Sequence, residues 1–422
     1  MAEIFGVAKE ARVSPPLPGI LAEDSRRDPG GKPLLAEGCY FLAYGNELDI
    51  WYEGTMRVQS RAGQLVASGD LYTVDNSSAN DPQPIGRVPP RAPGIPSFPI
   101  ANYTYYLRIT KIEPTTTGFA LTFEAHRYYP KNDRKLDGVV PPSWVLEGAF
   151  TAQMAPADAP PGYPAPERFF VGDIPTNPDD PLQRAQMQMG WVSPHLRKAV
   201  IEIDRVPDSP VPQGNGGGAT WQSVFHSFGW EVNVIVSDNN ITKSDGPVWT
   251  SVHADAAMKA HRDRSDLDAE WRYYLLVAEQ IKAPGDAFGF MYHPKREALF
   301  MTSQHVFPEH EVHWGMLRGK RFDTTVAFFR TAVHEMGHAM GLGHNESGFH
   351  FMRPTTSIAK EATGHSPFPM NISWTFDPDD EQQLRHGPDN TVRPGGVNGI
   401  GGGGLPLPEP LPKRKQNRSA ME

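Results

Sequence analysis

One cysteine, Cys39, stands among the 422 residues. No disulfide can form within the chain, so packing or a metal must supply the constraint that cross-links supply elsewhere. No apolar run approaches the roughly 18 residues that a spanning helix needs, and no membrane span is expected. Positive charge is also scarce. The 40 Lys and Arg are outnumbered by 49 Asp and Glu, a net charge of −9, which does not suggest a nucleic-acid surface. The N-terminus, Met1-Ala-Glu-Ile-Phe5, has an acid where a secretory signal has basic residues, and no long apolar core follows. No signal peptide is expected, which leaves a cytoplasmic place or export by a route that ignores N-terminal signals.

A chain of this length can hold two cores. The first half reads as all-β. Cys39–Ala43, Glu47–Tyr52, Met56–Ser60, Gln64–Ser68 and Leu71–Val74 are short strand-like runs parted by turn residues. Tyr105–Ile112 and Phe119–His126, joined across Pro114–Gly118, predict a hairpin, and Trp144–Met154 adds a strand. A sandwich or a barrel follows. Cys39 alternates with Phe41 and fits a buried strand position. The organisation expected is an extension over 1–35, an all-β domain over 36–155, a Pro-rich linker over 156–190, a second domain over 191–390 and a disordered Gly/Pro-rich tail over 391–422. The β-domain's role stays open between prodomain, binding module, delivery domain and simple stabilising partner.

The chemistry concentrates at residues 334–344, His-Glu-Met-Gly-His-Ala-Met-Gly-Leu-Gly-His. On a helix His334 and His338 project from one face and can grip one metal ion. Glu335 lies about 100° around, where its carboxylate can reach a water at the metal without being a ligand. Gly341 permits a sharp turn at φ > 0 that brings His344 back as a third ligand. Three neutral nitrogens leave one tetrahedral position open, as in a catalytic rather than a structural zinc site. Upstream, Asp323 is a capping candidate for a core helix of about five turns ending near Gly341, with Val333 and Met340 on its buried side.

This HExxHxxGxxH run resembles the zinc-binding consensus of the metzincin metallopeptidases, and Phe351-Met352-Arg353-Pro354 resembles their Met-turn beneath the zinc. The short spacing from His344 to Met352 and the Met-x-Pro form are most similar to the matrixin branch. Two departures stand out. Asn345 takes a place where matrixins usually have Ser, and Pro354 takes the place of a tyrosine ligand, which is therefore not expected. The resemblance implies an α+β metzincin-like peptidase domain in the C-terminal half only. It implies a Zn2+-dependent endopeptidase acting on protein or peptide substrates. His334, His338 and His344 would be its ligands, Glu335 its general base and Met352 its Met-turn residue. Lys198–Val206, the amphipathic Trp221–Phe228 and Glu231–Asp238 would open the domain as strand, helix and strand. Ala287–Tyr292 and Ala298–Thr302 read as further strands, the second expected as the edge that pairs with an extended peptide. Leu299, Met301, Arg353 and Pro354 are thus the candidate substrate contacts. Phe376–Arg385, with Pro378 and acids at its start, would be the closing helix.

His305, His310 and His313 leave two readings open: a second, structural metal, or a polar loop beside the cleft. The absence of an Asp among them favours the loop. Asp263, Asp266 and Asp268 read as solvated acids rather than a calcium site. The rival to an enzyme is a toxin- or effector-like binding or delivery protein with a latent or vestigial zinc domain, and the presence of Glu335, which holding zinc does not require, weighs against it.

Overall fold

The computed structural model describes residues 35–45, 50–61, 64–74, 94–129, 143–175, 184–243, 246–282, 288–291, 296–396 and 405–408. The expected extension lies outside them apart from residue 35, as does most of the Gly/Pro-rich tail.

Eight antiparallel strands close a barrel in sequence order: β1 (Gly38–Gly45), β2 (Ile50–Arg61), β3 (Gln64–Thr73), β4 (Tyr103–Pro114), β5 (Phe119–Tyr129), β6 (Ser143–Pro156), β7 (Phe169–Pro175) and β8 (Arg184–Ser193), with β8 pairing back onto β1. The alternation seen in the sequence sets the two faces. Tyr40, Leu42, Met56, Val58, Leu107 and Met187 belong to one apolar cluster, while their neighbours Cys39, Phe41 and Tyr72 belong to another. Two expectations change. The short runs at 47–60 and 64–74 merge into the long strands β2 and β3. Residues 156–190 are not a linker: they carry β7 and most of β8, without which the barrel would expose two edges.

The second half holds a five-stranded sheet in the order β10 (Trp230–Val236), β9 (Arg197–Arg205), β12 (Arg272–Ala278), β15 (Ala298–Thr302), β14 (Gly289–Met291). Its first four strands are parallel and β14 is antiparallel. A two-stranded ladder joins β11 (Val248–Trp249) to β13 (Gln280–Ile281). The helices are α1 (Trp221–Ser227), α2 (Ser251–His261), α3 (Val326–Ala339), α4 (Thr355–Lys360), α5 (Pro378–His386) and α6 (Asp389–Val392). Asp377 caps α5 by accepting from the Asp379 N–H, with Pro378 at the first position. No helix among the described residues is long and apolar enough to cross a membrane.

The two halves share a buried ionic seam. Asp389 at the start of α6 accepts from Arg57 on β2 (2.9 Å), from Arg197 on β9 (3.0 Å) and from the Tyr72 hydroxyl (3.0 Å). Arg57 also pairs with Asp70 at 2.5 Å, both side chains fully buried. Two cations thus face two anions, the condition under which charge tolerates burial. Burial would raise the Asp389 carboxyl, but Arg57 and Arg197 hold it below its ordinary range. Further along the seam Arg393, 1% exposed, donates to the Phe98 carbonyl at 2.7 Å. Residues 391–396 therefore belong to the packed core rather than to a disordered tail. The Gln382 side chain likewise donates to the Pro408 carbonyl.

Candidate metal centre

Helix α3 is buried on nearly every side, as a helix with apolar residues all round must be. It begins one residue after Thr325. Asp323 does not cap it; its carboxylate pairs with Arg321. Met340 is the C-cap and Gly341 follows at φ +84°. A Cβ at Gly341 would meet the Thr391 carbonyl oxygen at 2.5 Å, so the turn demands glycine for space as well as for φ.

That turn carries His344 back. The imidazoles of His334, His338 and His344 offer nitrogens that all lie within 4.8 Å of one another. His334 Nδ1 is 2.6 Å from the Phe351 carbonyl and His338 Nδ1 is 2.9 Å from the Leu342 carbonyl. A carbonyl only accepts, so each Nδ1 carries the proton and each Nε2 the lone pair. The two Nε2 atoms stand 3.2 Å apart. Two facing lone pairs repel unless a cation lies between them. Two zinc–nitrogen bonds of about 2.0–2.1 Å at a tetrahedral angle would put their nitrogens about 3.3–3.4 Å apart, so the donor set fits that ion. Burial pushes His338 down to about 4 and His334 well below its ordinary value, which keeps both neutral and ready as ligands. His344 is the exposed member and opens the site to solvent.

Glu335 is buried beside this cluster. Burial pushes its carboxyl up to about 8, against the lowering effect of Arg330 and of a backbone N–H from Met291. Room for it comes from Gly289 on β14, where a Cβ would stand 3.0 Å from Glu335 Cγ. Beneath the helix, Met352 is fully buried, and a Cβ on Gly337 would come within 2.2 Å of its sulfur. Helix and turn touch there without an intervening side chain.

The sequence pattern gives Arg330 a place on this helix but no role, although a lone arginine in an apolar helix is a signal. Fully buried, it donates to the Thr355 hydroxyl and to the carbonyls of His350, Phe351 and Arg353. The Phe351 carbonyl therefore receives both Arg330 and His334, which ties the turn to the ring.

The other expected site residues fare differently. Leu299 and Met301 are fully buried in β15. β15 is not the edge, because β14 pairs along it, Gly289 opposite Met301 and Met291 opposite Leu299. Their side chains fill the core, and among the described residues Gly289–Met291 is the last strand on that side of the sheet. Arg353 is 9% exposed and committed to Gly348 and Glu361, and Pro354 is the N-cap of α4. His305, His310 and His313 do not converge: His305 packs edge-on against Phe288, and His313 lies 3.2 Å from Glu311. Among the described residues the only group of three or more metal-type side chains is His334, His338 and His344. Asp268 accepts from the Ile100 N–H and pairs with Arg393, and Asp266 caps the N–H groups of Asp268 and Ala269. Cys39 is buried in the barrel wall with its thiol pushed up to about 12 by burial, which makes it inert.

With this geometry in place, comparison with known families gives one assignment. Residues 235–367 match the matrixin family. The C-terminal half is matrixin-like, and the match takes in all three imidazoles, Glu335 and Met352, which supports a metallopeptidase in general terms. No curated protein matches the chain. A solved structure described as metalloproteinase-II from Bacteroides fragilis is similar over 67% of this chain and 86% of that one, at 10% identity and a TM-score of 0.25. A likeness that low carries no weight for the fold.

Proposed function

We propose that this chain is a zinc-dependent endopeptidase that hydrolyses peptide bonds of protein substrates. The observation that carries the reading is the pair of His Nε2 lone pairs facing each other at 3.2 Å, each oriented by a carbonyl on its Nδ1, with a buried carboxyl alongside. His334, His338 and His344 would hold the ion. Zinc bound there would polarise a carbonyl oxygen and make water more acidic.

The rest is the work of this chain's own groups. The Glu335 carboxylate takes a proton from the attacking water and returns it to the departing amine nitrogen. Arg330 and His334 share the Phe351 carbonyl, so the Phe351–Arg353 turn, the Met-turn of this reading, keeps the ring aimed. β14 is the last strand on this side of the sheet and lies next to Glu335, where an extended peptide would add as a further strand.

The test is cleavage of a denatured protein by the purified full chain beside Glu335→Ala, with zinc content measured in both. Cleavage by the wild type alone, with zinc in both, is the expected result. Hydrolysis retained by Glu335→Ala would refute the mechanism, and zinc in both with no cleavage by either would favour the vestigial, binding-protein reading.

A further inference from the structure

A barrel of eight strands is just wide enough to be filled by side chains or to hold one small ligand. Here most of the interior is filled, by buried residues such as Met56, Phe119, Leu121, Ile174 and Met187. The filling stops short beside the rings at the end of β1, β2 and β4. A cavity of about 230 Å³ remains there, lined by the rings of Tyr44, Trp51, Tyr52, Tyr105, Phe123 and Phe150 and by the Glu147 carboxylate. Ala125 also lines it. A larger residue at Ala125 would close the space if packing were all that mattered.

The rings are tilted against one another rather than stacked flat. Tyr52 meets Tyr105 at 5.3 Å and 83°, Tyr44 meets Tyr52 at 5.9 Å and 50°, and Tyr44 meets Trp51 at 5.9 Å and 58°. Rings so inclined surround the space from several directions, and a cation entering it would meet ring faces as well as edges. Among the described residues no Lys, Arg or His lines the cavity, and its one carboxylate is that of Glu147. The Tyr105 hydroxyl donates to Glu147 at 2.6 Å, and Arg127 reaches it at 3.3 Å. Arg127 also sits over the Tyr105 ring, 5.8 Å from its centroid, and over Tyr129 at 5.0 Å. The fold thus already sets one cation over one of the lining rings, Tyr105. The Arg127–Glu147 pair is solvent-accessible on both sides, and such pairs yield easily to a competing charge.

We propose that the barrel mouth binds a small organic cation of the alkylated ammonium class, seated on the faces of Tyr44, Trp51, Tyr52 and Tyr105 with Glu147 as its counter-charge. The site is separate from the histidine centre and would work whether or not that centre cleaves peptides. A peptidase carrying it would have a small-molecule input on the barrel domain.

The test uses the full chain and two probes of nearly equal shape, choline and its neutral isostere 3,3-dimethylbutan-1-ol, titrated by calorimetry and by tryptophan fluorescence. Choline should bind saturably and at least about tenfold more tightly than the alcohol. Trp51→Ala and Glu147→Gln should each weaken choline by about tenfold. Trp51 is 37% exposed, so its replacement leaves the fold standing, as an unchanged melting temperature would show. Equal binding of the alcohol would overturn the cation assignment. Choline binding that neither substitution weakens would overturn the location, and no choline binding up to concentrations on the order of tens of millimolar would overturn the site.

Discussion

Gly337→Ala sets two effects of opposite sign against each other. In a helix interior alanine is favoured over glycine by about 1 kcal/mol, so propensity alone predicts a more stable protein. The added methyl, however, would stand 2.2 Å from Met352 Sδ, 3.0 Å from Met352 Cε and 3.3 Å from a Phe376 ring carbon. An unstrained carbon contact is about 3.5–4.0 Å, so the Met352 sulfur has to move by about 1.5 Å. Met352 is fully buried, and overpacking of this kind costs about 1–3 kcal/mol. The clash wins. The substitution should leave stability unchanged or lower it by up to about 2 kcal/mol. It should also weaken zinc binding, because the displaced turn carries the Phe351 carbonyl that orients His334. In a Met352→Ala background only the 3.3 Å approach to Phe376 remains and the sign should reverse, Gly337→Ala then stabilising by up to about 1 kcal/mol. Urea unfolding of the metal-free single and double variants measures the first quantity and chelator competition the second. Stabilisation by Gly337→Ala in both backgrounds, with zinc affinity untouched, would refute the reasoning.

Two further outcomes follow from buried charge. Glu335, raised by burial from 4.5 to about 8, makes the metal-free folded state bind more protons than the unfolded chain between those values, so stability should fall as pH climbs through that window. Metal-free Glu335→Gln should escape the loss, gain on the order of a few kcal/mol over the wild type above pH 8, and converge with it below pH 4.5, as thermal melts across pH would show. Asp389→Asn leaves the buried Arg57 and Arg197 with one fewer counter-charge and should cost about 3–5 kcal/mol in urea unfolding. A loss below about 1 kcal/mol would show that the seam between the halves contributes little.

Two segments depart from what their local sequence suggests. Residues 156–190 look like a linker because proline dominates their first half. Yet Ala185, Met187 and Met189 alternate with Gln186 and Gln188, a strand signal hidden by weakly β-forming residue types. The tail misleads for a different reason. Arg393 is ordered by carbonyls from Phe98 and Leu267, far away in the chain, and no local pattern announces such partners. The edge of the sheet was misplaced in the same way, since only strand pairing reveals that Gly289–Met291 covers Leu299 and Met301.

What the sequence determined by itself is whatever depends on short spacings. These are the two imidazoles four residues apart on one helix face, the glycine turn that returns the third, the capped start of α5 and the hairpin of β4 and β5. Each rests on backbone geometry within about two dozen residues at most, and helical and extended repeats are the same in every protein. The tertiary structure decided what depends on neighbours remote in the chain. It closed β8 onto β1, placed Met352 against Gly337, set Arg330 under the turn that aims His334, and left an aromatic space at one place in the barrel. Those contacts come from packing and from the need of each buried polar group to find a partner, and both are properties of the whole fold rather than of any segment.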